Sequence, residues 1–352
     1  MKQNQAVESR KGAILINVGT PKAPHPPEVR EYLKEFLMDP YVIDVPHPLR
    51  WLIVNGTILP KRPIASAEAY RKVWTDQGSP LLVHLMGLTQ KVQSTLGDGW
   101  LVQPAMRYGE PKIETAFLKF KEEGVSEVSV FPLYPQYSLA ATETSLQECR
   151  RVAKKIDPKM KLRWVKPFYD QSEFIGAFAD TVQDSLRDYR YDHLLFSFHG
   201  LPERQVKKTD VTGQHCLKGE GCCSAVEGSN RNCYRAQCFH TARTMAQKLG
   251  LKPAEYTVCF QSRLGSTPWI RPFTDDLYQE LPKRGVKRLG VVCPAFVADC
   301  LETLEEIQIR GKEDFIRHGG EDLKLVPSLN SRDSWAQTVS SFLSTAGLLE
   351  VL

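Results

Sequence analysis

An α/β protein of two doubly wound halves facing a central cleft is what the sequence predicts, and three observations predict it. Apolar runs of strand length alternate with helical patterns along most of the chain. Four such β/α units fall before about residue 168 and four after it. The runs are apolar throughout, as strands buried on both faces of a parallel sheet are. At 352 residues the chain is long enough for two cores. The expected division is a first domain over 1–168 and a second over 169–330, with a last helix, 333–343, packing back on the first.

The elements follow in order. Residues 13–18 (AILINV) read as a buried strand closed by Gly19 and Pro21, and 27–37 as a helix with proline in its first turn. Residues 45–62 (VPHPLRWLIVNGTILPKR) read as irregular but rich in large apolar side chains, hence either core filler or an apolar lip that meets lipid or a flat apolar ligand. Strands are expected at 101–106, 127–133, 162–165, 194–198, 256–261, 288–292 and 323–327. Helical patterns fall at 113–123, 144–155, 174–189 and 235–249. No G-x-G-x-x-G or Walker pattern follows any strand, so the sequence offers no nucleotide site.

Composition narrows the function classes. With 42% apolar and 25% charged residues the chain is globular rather than disordered. A net charge of +5, with no Lys/Arg-rich run, is too dilute for a nucleic-acid binder. No run of eighteen apolar residues and no signal-peptide core appear, which gives a cytoplasmic expectation, and nine cysteines are then read as ligands or buried thiols rather than as disulfides.

Two constellations carry chemistry. The strand 194–198 runs into His199 and turns through Gly200 and Pro202, which sets an imidazole at the carboxyl end of a buried strand, where open α/β sheets bind ligands. Residues 293–308 (CPAFVADCLETLEEIQ) leave another buried strand on the same edge, and at 100° per residue Asp299, Glu302 and Glu306 fall on one side of the helix. Such a row is ordinarily a solvated face. Beside an imidazole it suits proton removal or passage of a divalent cation. Separately, Cys216, Cys222, Cys223, Cys233 and Cys238 fall within 23 residues of the polar loop 210–238. The spacing has no CxxC knuckle, so an iron–sulfur cluster is expected ahead of zinc, held by Cys233, Cys238, Cys216 and one of the adjacent pair, whose side chains point to opposite sides of an extended segment.

The stretches FSFHGLPER, FQSRLGSTPWIRPFTDD, PAFVADCLETLEEI and FPLYPQYSLAATETS, in their order and separations, closely resemble the ferrochelatases. The resemblance implies a chelatase-like fold and insertion of ferrous iron, the substrate metal, into protoporphyrin IX with release of two protons. It implies that His199 lies beneath the porphyrin centre with Glu302 opposite, that both contact the iron, and that Asp299 and Glu306 extend a metal and proton path. Phe296 and Trp269 then match aromatics beside the macrocycle, Arg62, Tyr70 and Ser79 match propionate-side positions, and Arg107 and Tyr134 match the inner cleft. Cys300 stands where many members have histidine, and Val18 where some have tyrosine or methionine. The cysteine loop resembles that of a bacterial subgroup with an internal [2Fe–2S] cluster. Coproporphyrin III is the alternative substrate, and a haem- or iron-sensing protein the alternative of another class. Further expectations are peripheral contact of the lip with a membrane, no nucleic acid, and a monomer or homodimer.

Overall fold

The structure, a computed structural model, describes residues 10–219, 221–265 and 267–352; the first nine residues, part of the segment read for a leader, lie outside them. Among the described residues nine strands form two sheets: β1 Lys11–Gly19, β2 Trp100–Tyr108, β3 Glu127–Pro132, β4 Lys161–Val165, β5 His193–His199, β6 Tyr256–Gln261, β7 Arg288–Val292, β8 Asp322–Leu325 and β9 Leu349–Val351. The first sheet has the order β2-β1-β3-β4-β9 and the second β6-β5-β7-β8. All pairings are parallel except that of β9 on β4. Each half thus repeats one winding, in which the chain reverses direction of travel between its first and third strands. The crevice beyond the carboxyl ends of β1 and β3, and of β5 and β7, is where such sheets open a ligand site.

Residues 13–16 and 194–196 are fully buried, which is why these strands show no polar alternation. The largest core runs through both halves. Phe131 and Phe168 meet edge to face at 5.4 Å and Phe168 and Phe174 at 5.2 Å, with Trp335 and Phe342 closing the cluster. The helix Asp333–Ser344 supplies those last two rings and lies along Pro80–Leu96 of the first half, tied by an ion pair of 2.6 Å between Lys91 and Asp333. At the other side of the molecule Asp44 holds Arg204 and Lys208, both at 2.6 Å, and the Gln136 amide donates to Thr241 at 3.1 Å.

The segment 45–62 is helical rather than irregular. Helix His47–Leu52 has proline in its first turn, runs into a π-helical turn Ile53–Ile58, and is followed by helix Arg62–Val73. Prolines that read as breakers are helix starters here, and the wider i→i+5 turn accommodates Gly56. The segment divides between lip and core, with Leu49, Trp51 and Leu52 exposed and Val54 and Leu59 fully buried beside Leu37. Helices Pro80–Leu96 and Thr274–Lys283 and strand β9 are further elements the periodicity does not reveal. The acidic segment also departs from expectation. One α turn, Leu301–Thr303, passes into a π helix, Leu304–Gly311, so a 100° wheel does not describe it. Among the described residues no helix is long and apolar enough to cross a membrane.

Candidate functional site

His199 is the last residue of β5 and pairs in register with Gln261 of β6. Its Nδ1 lies 2.6 Å from the Gly200 carbonyl oxygen. A carbonyl can only accept, so Nδ1 carries the proton, and in the neutral ring Nε2 is left with a free lone pair. Gly200 is required at the turn: a Cβ there would lie 2.8 Å from the Gln261 carbonyl oxygen and 3.2 Å from the Trp269 ring. Phe296 stands beside the imidazole, ring centroids 6.2 Å apart, and Trp269 is fixed by its indole N–H donating to the Leu264 carbonyl at 2.9 Å.

The acidic residues part company. Asp299 is buried and committed to structure: it accepts from the Asn330 amide at 2.7 Å, Thr303 Oγ1 at 3.1 Å and the Ser328 N–H at 3.2 Å. Those contacts pin the turn from β7 into the π helix, and they leave Asp299 a brace rather than the start of an open acidic row. Glu306 keeps the expected neighbourhood. Burial raises its carboxyl above the ordinary range, the Ser262 hydroxyl opposes that, and His199 and Glu302 act on it electrostatically from nearby. The Gln261 side chain joins these groups, donating to the Glu302 carbonyl at 2.8 Å and to Glu306 at 3.3 Å while accepting from Ser197 at 2.8 Å. Behind Glu306 a cavity of about 530 Å³ opens outward between Arg263, Asp275, Tyr278, Arg310, Asp314 and Arg317.

The first half supplies the opposite wall. Tyr32 and Tyr70 are buried and their phenols are held well above the usual range and so protonated, Tyr32 by burial, then Tyr70 and Glu302, and Tyr70 by burial, then Glu302 and Cys300, against hydrogen bonds to Thr20 and Tyr32 that lower it. Thr20 donates to Ser79 at 2.8 Å, and both are buried. Tyr134 is pushed up by burial as well. Arg107 is engaged: its guanidinium pairs with Asp39 and donates to Thr144 at 2.9 Å, and Asp39 also accepts from Tyr108 at 2.9 Å. Arg62 is exposed at the start of its helix, close in sequence to the lip. The structure therefore brings together His199, Glu302, Glu306, Phe296 and Tyr70. Arg62 is exposed, and Arg107 and Asp299 are held in networks of their own.

The five cysteines are free thiols, and all except the half-buried Cys222 are buried in the main core. The Cys222 and Cys223 sulfurs are 3.7 Å apart, and Arg235 Nη1 donates to Cys223 Sγ at 3.1 Å. The loop backbone has hydrogen-bond partners of its own. Asp210 accepts the N–H groups of His215 and Cys216, both at 2.7 Å, and the fully buried Asn230 amide donates to the carbonyls of Cys222 and Ala225. As the thiols stand, no three His, Cys, Asp or Glu side chains among the described residues are set out around a metal ion. The donor chemistry is that of thiolate ligation, with the Arg235 guanidinium on Cys223 placed to offset negative charge.

Sequence reasoning missed Tyr32, Asp39, Gln261 and Ser262. The last two directly follow the apolar run of β6, on the same sheet edge as His199, and that position was the available signal.

Comparison with known proteins gives a coherent result. The family profile described as Ferrochelatase matches residues 10–346. A protein named ferrochelatase from Stutzerimonas stutzeri is 47% identical over 337 residues, 95% of this chain and 97% of that one. A second of that name, from Pseudomonas savastanoi pv. phaseolicola, is 47% identical over 339 residues, 96% and 98% of the two chains. Among solved structures, SirB from Bacillus subtilis with Fe3+ superposes with a TM-score of 0.53 at 13% identity, covering 95% of this chain and 94% of its own, a likeness of fold alone.

Proposed function

The chain belongs to the ferrochelatase family, and from that premise we propose the assignment that follows. It is a metal chelatase that inserts ferrous iron into protoporphyrin IX. The macrocycle loses two pyrrole protons as Fe2+ enters, so the site must accept protons at the ring centre and discharge them. Neither relative named above bears a name referring to coproporphyrin or to sensing.

The observation that carries the site assignment is the tautomer of His199. With Nδ1 held by the Gly200 carbonyl, Nε2 is the free base. In this reading His199 Nε2 takes a pyrrole proton and Glu306, which senses the imidazole electrostatically, passes it to the cavity behind the π helix. Glu302 faces the ring from the acidic side and meets the iron together with His199. Phe296, Trp269 and Tyr70 bind the macrocycle's apolar faces, with Ser79 and Tyr134 behind them, and Arg62 at the rim takes a propionate. The two halves, described over 10–168 with the closing helix and over 169–330, are the walls of that cleft.

Two further assignments rest on chemistry alone. Exposed Leu49, Trp51, Leu52 and Ile64, flanked by Lys61 and Arg62, form a surface suited to shallow insertion into a membrane with anionic headgroups. Cys216, Cys223, Cys233 and Cys238 would hold a [2Fe–2S] cluster, with Cys222 as the less buried spare. When bound, a cluster supplies a one-electron redox centre and a cross-link within the loop.

Anaerobic incubation of the purified protein with ferrous iron and each porphyrin, followed by absorbance and porphyrin fluorescence, tests the reaction. Loss of free protoporphyrin with appearance of protohaem is expected. Faster turnover of coproporphyrin III would overturn the substrate assignment.

A further inference from the structure

We infer that Tyr234 is a positioning residue that ties the cysteine loop to His199. The inference rests on the reading of His199 as the proton acceptor and goes beyond it. Tyr234 is buried, follows Cys233 directly and opens the helix Tyr234–Lys248. Its hydroxyl donates to the carbonyl oxygen of His199 at 2.9 Å, and Cys238 stands one turn along the same helix. One residue therefore joins the loop's Cys233, its neighbour in the chain, to the backbone of the imidazole.

The peptide after His199 is held on each side. The Gly200 N–H donates to the Gln261 carbonyl at 2.7 Å, and the His199 carbonyl receives Tyr234. The ring direction of His199 follows from that peptide, since Nδ1 bonds the very next carbonyl. A second strut runs in parallel: Arg235 donates to Cys223 Sγ at 3.1 Å and to the Arg271 carbonyl at 3.2 Å, reaching the stretch that carries Trp269. A shift in the packing of Cys233 or Cys223 is thus delivered to the base and to the aromatic beside it through two adjacent residues of one helix terminus.

The test is Tyr234→Phe in the full chain, purified anaerobically, with iron and acid-labile sulfide measured first. Metal content and visible spectrum are expected to match the wild type. The kcat for iron insertion should fall by about ten- to a hundredfold, as expected for a base displaced by a fraction of an ångström, with KM for porphyrin changed by less than about twofold. The acid limb of kcat against pH should move, and the His199 imidazole resonance should shift. Unchanged kcat, pH profile and resonance overturn the proposal. Should that variant not fold, Arg235→Gln reads the parallel strut, where a shifted His199 resonance supports the link between loop and base and an unshifted one overturns it. Wild-type protein without sulfide refutes the cluster while the Tyr234 readouts still decide this proposal. A wild type that inserts iron into neither porphyrin refutes the reaction, and the His199 resonance then decides.

Discussion

Ser262 turns both of its donors on the carboxylate of Glu306, the N–H at 2.8 Å and the hydroxyl closer still, from a backbone held at φ 67°. That left-handed conformation is costly for a residue with a side chain and persists where the surroundings impose it. Burial raises the Glu306 carboxyl and the hydroxyl works against that rise. Ser262→Ala should therefore raise it further, moving the acid limb of kcat to higher pH and lowering kcat by about three- to tenfold at neutral pH. Ser262→Gly should show the same pH shift yet melt later, by roughly 1 kcal/mol of stability, because glycine adopts this φ freely. Identical pH profiles in both variants and the wild type would remove Glu306 from the proton route.

His199→Ala should leave the fold intact and cut the insertion rate by about 10²- to 10⁴-fold, the usual worth of a positioned base. Glu302→Gln keeps shape and removes charge, so the rate should fall while porphyrin affinity, read by fluorescence, stays near wild type. A loss confined to porphyrin affinity would assign both residues to binding alone.

The sheets were legible because their strands are buried on both faces, and His199 because a polar ring at the end of such a strand stands out. The contacts that arm the site were not legible, since they join segments far apart: Ser262 meets Glu306 across 44 residues and Tyr234 meets His199 across 35. The row of Asp299, Glu302 and Glu306 came from an α-helical wheel, and the π helix Leu304–Gly311 breaks that geometry. The bracing of Asp299 was not legible either: its partner Asn330 lies 31 residues on, beyond β8, and no local pattern announces that pairing.

Asp44 clasps the two halves by holding Arg204 and Lys208 just beyond the turn after His199. Burial alone would raise its carboxyl, but the hydrogen bonds and charges of Lys208 and Arg204 lower it overall. A depressed carboxylate lends stability above the unfolded value and loses it as pH falls through the folded value. The wild type should therefore lose more stability than Asp44→Asn on acidification below about pH 4, the ordinary carboxylate range. At neutral pH the variant should be less stable by about 1 kcal/mol, in keeping with two half-exposed cations. Parallel stability curves of the two proteins against pH would show that the clasp contributes nothing.

The lip divides by burial, and its substitutions should divide likewise. Serines at Leu49, Trp51 and Leu52, all exposed, should weaken sedimentation with vesicles containing anionic lipid and leave the melting temperature within about 2 °C. Val54→Ala, at a fully buried position, should instead cost roughly 2 kcal/mol and leave vesicle binding unchanged. Equal vesicle binding by the triple-serine variant and the wild type would assign the lip to porphyrin alone.

The cysteine loop offers the sharpest contrast, because its hydrogen bonds already hold it together without a metal. Asp210 and Asn230 fix the loop backbone. Burial also pushes the thiols of Cys216 and Cys238 up, and the bond to Cys233 followed by burial pushes Cys223 up, so that metal-free protein keeps them protonated at neutral pH. Ligation must expel those protons, and Cys223 Sγ beside Arg235 is where the negative charge is best offset. Anaerobically purified protein should accordingly carry two irons and two sulfides per chain, the content of a [2Fe–2S] centre. Cys233→Ser with Cys238→Ser should abolish both, and Cys222→Ser should retain them. The double variant should still fold, with a melting temperature lowered by less than about 10 °C, since the Asp210 and Asn230 bonds remain. Zinc without sulfide in the wild type would refute the cluster, and full iron in the double variant would refute the ligand set.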